Sequence, residues 1–306
     1  MSDSSKFGQI VVNPYSSPHS KSRKGLMASG SWQPAMTEFI KSNQIEALYL
    51  NTARGWKSSE FDFLRHLNFL KELHIICGEA NGLESVGFLS DLREFSITTS
   101  TKSVIDFSRL KSLEKCFLYW WEGASGILNL QSLKELHVDK IPPAMCGHFA
   151  KLSNLESLTI ANCNVTDVDF LCSMAHISKL ELLNCKKIIS FAPIAKCKQL
   201  KWLNIDGSKQ ITNIEFVRQL DFLEVLLLSD NGGLHDLSPL SELICLKTVA
   251  FAGSTNILDG NLAWFERLPK LAMLMFAPRK HYSHKLIKAW DWRNFDQPDI
   301  LLKKAN

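Results

Sequence analysis

Three groupings of residues in this chain could do chemistry. Glu135, His137 and Asp139 alternate along one short segment, so on a strand all three would share a face. A carboxylate orienting His137 is the arrangement of a general base. His281 and His284 stand three apart, a spacing that puts both on one helix face, but no cysteine or carboxylate motif accompanies them as a zinc site requires. Cys163 and Cys185 are 22 residues apart, and their relation depends on how the chain folds between them. Phosphate-cradling runs of the G-x-x-x-x-G-K-[ST] or G-x-G-x-x-G type and the G-x-S-x-G elbow are absent from the sequence. No catalytic set, metal or cofactor is therefore implied, and the expectation is a protein that is not an enzyme.

The elements that position these residues form a repeat. Leu70-Lys71-Glu72-Leu73-His74-Ile75, Leu133-Lys134-Glu135-Leu136-His137-Val138 and Leu155-Glu156-Ser157-Leu158-Thr159-Ile160 all read apolar-x-x-apolar-x-apolar. Eleven copies of this frame occur, their central apolar residues at 48, 73, 95, 116, 136, 158, 180, 203, 226, 249 and 274. A step of about 23 residues is the mark of a stacked repeat architecture. The last two apolar positions alternate with polar ones, which is the period of a strand with one buried face. So short a strand cannot bury that face alone, and stacking copy on copy builds a parallel sheet and a continuous core. The return segments bring their own apolar residues, such as Val165, Val168, Phe170 and Leu171 in one copy.

The frame resembles that of leucine-rich repeat proteins, in the short class of about 22 residues found in internalin-like proteins and phosphatase regulators. Asp230-Asn231-Gly232-Gly233-Leu234-His235-Asp236-Leu237-Ser238-Pro239-Leu240 is the most similar segment. The resemblance spans roughly residues 44 to 279 and implies a right-handed α/β solenoid with the parallel sheet on a concave face. It also implies Asn or Cys three residues past the strand, where the side chain satisfies turn backbone. Asn231, Cys163 and Cys185 fit that position; Trp121 and Ile141 do not. A break in curvature is expected near Trp120 and Trp121. Stacked one repeat apart, Cys163 and Cys185 should lie about 5 Å from each other, a separation that permits a disulfide. With no signal-type core in Met1–Gly8, reduced thiols and a cytoplasmic setting are expected.

Three regions follow: an N-terminal tail and cap over 1–43, the solenoid over 44–279 and a C-terminal cap over 280–306. Residues 1–31 read as a flexible tail or, through Ile10-Val11-Val12, as an edge strand. Pro34 suits the first turn of a capping helix over 34–43. Trp290, Trp292, Phe295, Ile300 and Leu301 supply apolar surface for the other end.

With 45% hydrophobic and 22% charged residues and a net charge of +4, composition is that of a globular chain with no call for a nucleic acid or membrane partner. The strand frame places the acids Glu72, Glu94, Glu135, Asp139, Glu181 and Asp206 on the open sheet face, against Lys115 and Lys179. Tyr49, Phe117, Tyr119 and Trp202 stand among them. Aromatics ringed by charge are interface anchors. The reading is a non-catalytic protein-interaction module that takes a protein with a basic surface. Its binding centre is expected at Phe117, Tyr119, His137, Asp139, Glu181, Trp202 and Asp206. A toxin-neutralising immunity or inhibitor protein and a scaffold or phosphatase-regulator adaptor both suit it.

Overall fold

A computed structural model describes residues 4–12, 23–286 and 302–304. Two compact units divide the chain, Met1–Val138 and Asp139–Asn306. No helix among the described residues is long and apolar enough to cross a membrane.

The first unit opens with β1 (Ser4–Ser5), β2 (Gly8–Val12) and β3 (Lys24–Ala28), then α1 (Pro34–Ser42). Its repeat strands are β4 (Ala47–Asn51), β5 (Glu72–Glu79), β6 (Glu94–Ser100), β7 (Lys115–Tyr119) and β8 (Glu135–Asp139). The strands are ordered as they occur in the chain. β1, β2 and β3 pair antiparallel, and β3 joins β4 in parallel. Ile10-Val11-Val12 is thus strand and not flexible tail. The capping helix stands where Pro34 marks it, with Pro34 at its first position and Met36 and Ile40 turned inward.

The second unit runs from α2 (Pro143–Cys146) through β9 (Ser157–Ala161), β10 (Lys179–Leu183), β11 (Trp202–Asp206) and β12 (Val225–Ser229). It continues with β13 (Gly233–Leu234), β14 (Thr248–Ala252), β15 (Asn256–Ile257), β16 (Met273–Phe276), β17 (His284–Leu286) and β18 (Leu302–Lys304). β9, β10, β11, β12, β14 and β16 form a parallel sheet with each strand one repeat from the next, so that Leu158, Leu180, Leu203, Leu226, Val249 and Leu274 align. β10, β11 and β12 alternate half-buried and buried residues without exception.

Apart from the single turn of α2, the described return segments carry 3-10 turns rather than α-helices, among them Asp62–His66 in the first unit and Asp169–Ser173 and Glu215–Gln219 in the second. Their apolar spacing gives the reason. Leu64, Leu67 and Leu70 lie three apart and are fully buried, and the Leu67 and Leu70 amides donate to the carbonyls three residues back at 2.9 Å. Val217, Leu220 and Leu223 repeat the pattern. Three residues per turn eclipses side chains at i and i+3, so the row faces the core. At the end of the second unit Tyr282 is buried edge-on against Phe251 and Phe276, and its hydroxyl accepts from the Ile257 amide. Trp290, Trp292, Phe295, Ile300 and Leu301 lie outside the described residues.

Candidate functional site

Each strand is followed by a turn that must satisfy its own backbone, and the residues there do so in different ways. Asn231, buried, accepts from the Ser208 amide at 2.9 Å and donates to the Ile205 carbonyl at 2.8 Å. Cys163 Sγ lies 3.2 Å from the Ile141 carbonyl and Cys185 Sγ 3.5 Å from that of Ile160. Trp121 serves its turn through the indole, which donates to the Ser103 carbonyl at 2.7 Å. All eight cysteines are free thiols.

The seven expected site residues divide between the units, and all are half-buried. In the first unit Phe117 and His137 come together across β7 and β8, ring centroids 6.1 Å apart. Tyr119 borders a cavity of about 420 Å³ with Trp120, Trp121, Cys77 and the hydroxyl row Thr98, Thr99, Ser100 and Thr101. In the second unit Glu181 is the centre of a bonded group. Its carboxylate accepts from Thr159 Oγ1 at 2.9 Å and from Trp202 Nε1 at 3.2 Å, and Lys179 Nζ lies 3.4 Å away. That ammonium also sits over the Trp202 ring, 5.3 Å from its centroid. In-register pairing of β9, β10 and β11 is what aligns these side chains. Asp206 stands at the end of β11, its carboxyl pushed up by burial and by the charge of Asp230. Asp139 accepts from Asn162 Nδ2 at 3.1 Å, and Glu135 pairs with Lys115 at 3.6 Å.

The uniformly open acidic face needs correction in the first unit. Tyr49, Glu72, His74 and Glu94 are buried, Glu72 and Tyr49 completely. Arg23 reaches Glu72 at 3.1 Å, Tyr49 Oη donates to Glu72 at 2.7 Å, and His74 Nε2 lies 2.9 Å from Glu72 and 3.6 Å from Glu94. Burial opposes ionisation of Glu72, but hydrogen bonds from His74, Tyr49 and Arg23 outweigh it and hold the carboxyl below its ordinary value. Glu94 moves the other way, pushed up by burial and by Glu72 against the pull of His74, Lys115 and Arg23. Glu72, His74 and Glu94 bring ligand atoms within 4.8 Å of one another. Arg23 supplies the compensating positive charge, so a metal ion there would have to displace it. The frame marked these residues as facing one way but carried no sign that Arg23 would meet them.

His281 and His284 do not share a helix face. His281 lies in an exposed turn, and His284, on β17, is 3% exposed and 3.0 Å from Glu266. Sequence reasoning also missed Cys146, which lies off the repeat frame on α2 with its sulfur 3.9 Å from that of Cys163.

Stacked parallel strands at one-repeat intervals, a buried turn column and three-residue return spacing define a leucine-rich repeat solenoid. No protein-family model matches the chain. Among solved structures it is similar to an internalin, InlF, from Listeria monocytogenes, with a TM-score of 0.57 and 18% identity over 84% of this chain and 83% of that one. It is similar as well to a leucine-rich repeat protein from Leptospira interrogans, with a TM-score of 0.54 and 19% identity over 78% of this chain and 74% of that one. Likeness at this identity shows the fold.

Proposed function

We propose that this chain is a non-catalytic protein-interaction module that binds a protein partner through its open sheet face. The carrying observation is the Thr159–Glu181–Trp202 group of the second unit. Its carboxylate and indole are held by neighbouring strands before any partner arrives, which reduces the ordering cost of association. Beside it Leu183, Val225, Leu227, Met273 and Met275 are only half-buried on the same sheet face. An indole among aliphatic and Met side chains, rimmed by carboxylates, has the make-up of an interface core. Acids outnumber bases on this stretch, with Asp139, Glu181 and Asp206 against Lys179, which suits a partner with a basic surface. In the first unit Phe117, Tyr119 and His137 offer a second aromatic stretch for the same kind of contact.

A toxin-neutralising inhibitor working in the cytoplasm fits this picture, since a preorganised acidic and aromatic face suits tight capture of a basic effector. The test is native co-purification with the wild type, Trp202→Ala, an Asp206→Lys variant and Lys187→Glu on the return side, read by mass spectrometry. A partner lost from the first two variants and kept by the third supports the reading. Loss through Lys187→Glu alone overturns it. One toxin-like protein in the eluate marks an inhibitor, whereas several signalling proteins mark a scaffold or phosphatase-regulator adaptor.

A further inference from the structure

We propose that Cys146 and Cys163 form a redox site, a buried dithiol that a hydroperoxide converts reversibly into a disulfide joining α2 to the turn after β9. The two sulfurs stand 3.9 Å apart, and the residues are 2% and 1% exposed. A disulfide needs its sulfurs about 2.05 Å apart, so closure requires an approach of roughly 2 Å, within reach of side-chain rotation. In the turn column Cys163 and Cys185 each contact a main-chain carbonyl of the preceding coil. Cys146 enters from outside the repeat frame, at the end of the helix that follows Pro142.

The surroundings give the two thiols different roles. A hydrogen bond from Cys146 and, against the effect of burial, the amides of Val165 and Asn164 favour the thiolate at Cys163. The same pairing and burial push Cys146 up. Burial alone pushes up Cys116, which has no such partner. The backbone N–H groups of Val165 and Asn164 meet the Cys163 sulfur and would stabilise a thiolate there, so Cys163 is assigned as the nucleophile and Cys146 as the resolving thiol.

The Cys163 thiolate attacks one peroxide oxygen. The O–O bond breaks, the far oxygen leaves as water or alcohol after taking a proton, and Cys163 becomes a sulfenic acid. Cys146 sulfur then attacks the sulfenic sulfur, and its thiol proton departs with the hydroxyl as water as the S–S bond forms. Two thiols lose two electrons and two protons, and the peroxide is reduced. The oxidant reaches the buried pair by local opening of α2. The turn that becomes fixed is the one whose Asn162 holds Asp139, so oxidation stiffens one edge of the proposed binding face. The chemistry itself does not depend on what binds there.

The test uses the full-length, fully reduced chain. After hydrogen peroxide under native conditions, free thiols are alkylated in denaturant and peptides mapped without reduction. The expected result is a 146–163 cross-link as the main disulfide, removed by dithiothreitol. In Cys146→Ser the resolving thiol is gone, so dimedone should label Cys163 several-fold more than in the wild type. A dominant 163–185 link overturns the proposal. So does recovery of Cys146 and Cys163 as alkylated thiols after the exposed Cys172 has oxidised. The mapping needs only the wild type, so it decides the matter even where the variant fails to fold.

Discussion

Asn231→Ala tests the turn column that holds the second unit's coils together. The side chain is 1% exposed and bridges two coils, accepting from Ser208 N–H and donating to the Ile205 carbonyl. Ser208 is itself fully buried, so water has no easy route to the amide that truncation strands. A buried polar group left unpaired costs about 1–3 kcal/mol, and two are orphaned here, which gives a loss of about 2–6 kcal/mol. Urea unfolding followed by far-ultraviolet circular dichroism should show a lower midpoint at unchanged slope. Exposed Lys187→Glu is the control and should stay within about 0.5 kcal/mol of wild type. Asn231→Asp sharpens the test. It keeps the acceptor for Ser208 but turns an acceptor toward the Ile205 carbonyl, so the buried carboxyl should titrate above its ordinary range of about 3.9. Its deficit relative to wild type should narrow as pH falls and the protonated carboxyl donates again. A loss below about 0.5 kcal/mol for Asn231→Ala, or a deficit for Asn231→Asp that ignores pH, would refute the bridging role.

Leu158→Ala and Leu180→Ala each remove a fully buried strand residue and should cost about 2–5 kcal/mol; an unchanged melting curve would mean the strand register is wrong. The buried acids of the first unit should respond with opposite signs. Glu72, held below its ordinary 4.5, contributes stability present above that value and lost as pH falls through its lowered folded value. Glu72→Gln should therefore destabilise at neutral pH by about 1–3 kcal/mol and blunt the acid transition. Glu94, pushed above 4.5, is penalised once pH rises past its unfolded value, so Glu94→Gln should be neutral or stabilising at pH 7; destabilisation equal to that of Glu72→Gln would contradict the assignment. Once a partner is in hand, surface plasmon resonance should show Trp202→Ala raising the dissociation rate, with a loss on the order of 2 kcal/mol. Asp206→Lys, which leaves the Glu181–Trp202 contact in place, should instead lower the association rate in a salt-dependent way; the reverse pattern would refute the division between anchor and steering charge.

Much of this fold is a local property of the chain and was legible in its sequence. Alternation in Trp202-Leu203-Asn204-Ile205-Asp206 sets which residues enter the core, and a one-residue slip would turn each of them over. The step from Leu180 to Leu203 to Leu226 sets the register of strands that are neighbours in sequence. Pro34 marks the start of α1 because its fixed backbone angle and missing amide suit a first turn. Trp202, Glu181 and Lys179 could be put on one face for the same reason.

What the frame could not carry is contact between segments that share no period. Glu72 and Glu135 occupy equivalent positions in their repeats, yet one is sealed in and the other half-open. The difference is made by Arg23, 49 residues away in sequence, and by Tyr49 and His74, which close a network that only the folded chain assembles. Cys146 meets Cys163 because α2 carries it under the turn after β9, a distance no spacing rule encodes. Short-range periodicity decides which way a side chain points; whether it ends in water, against a cation or beside another thiol depends on what the rest of the chain brings to it, and that was decided by tertiary packing.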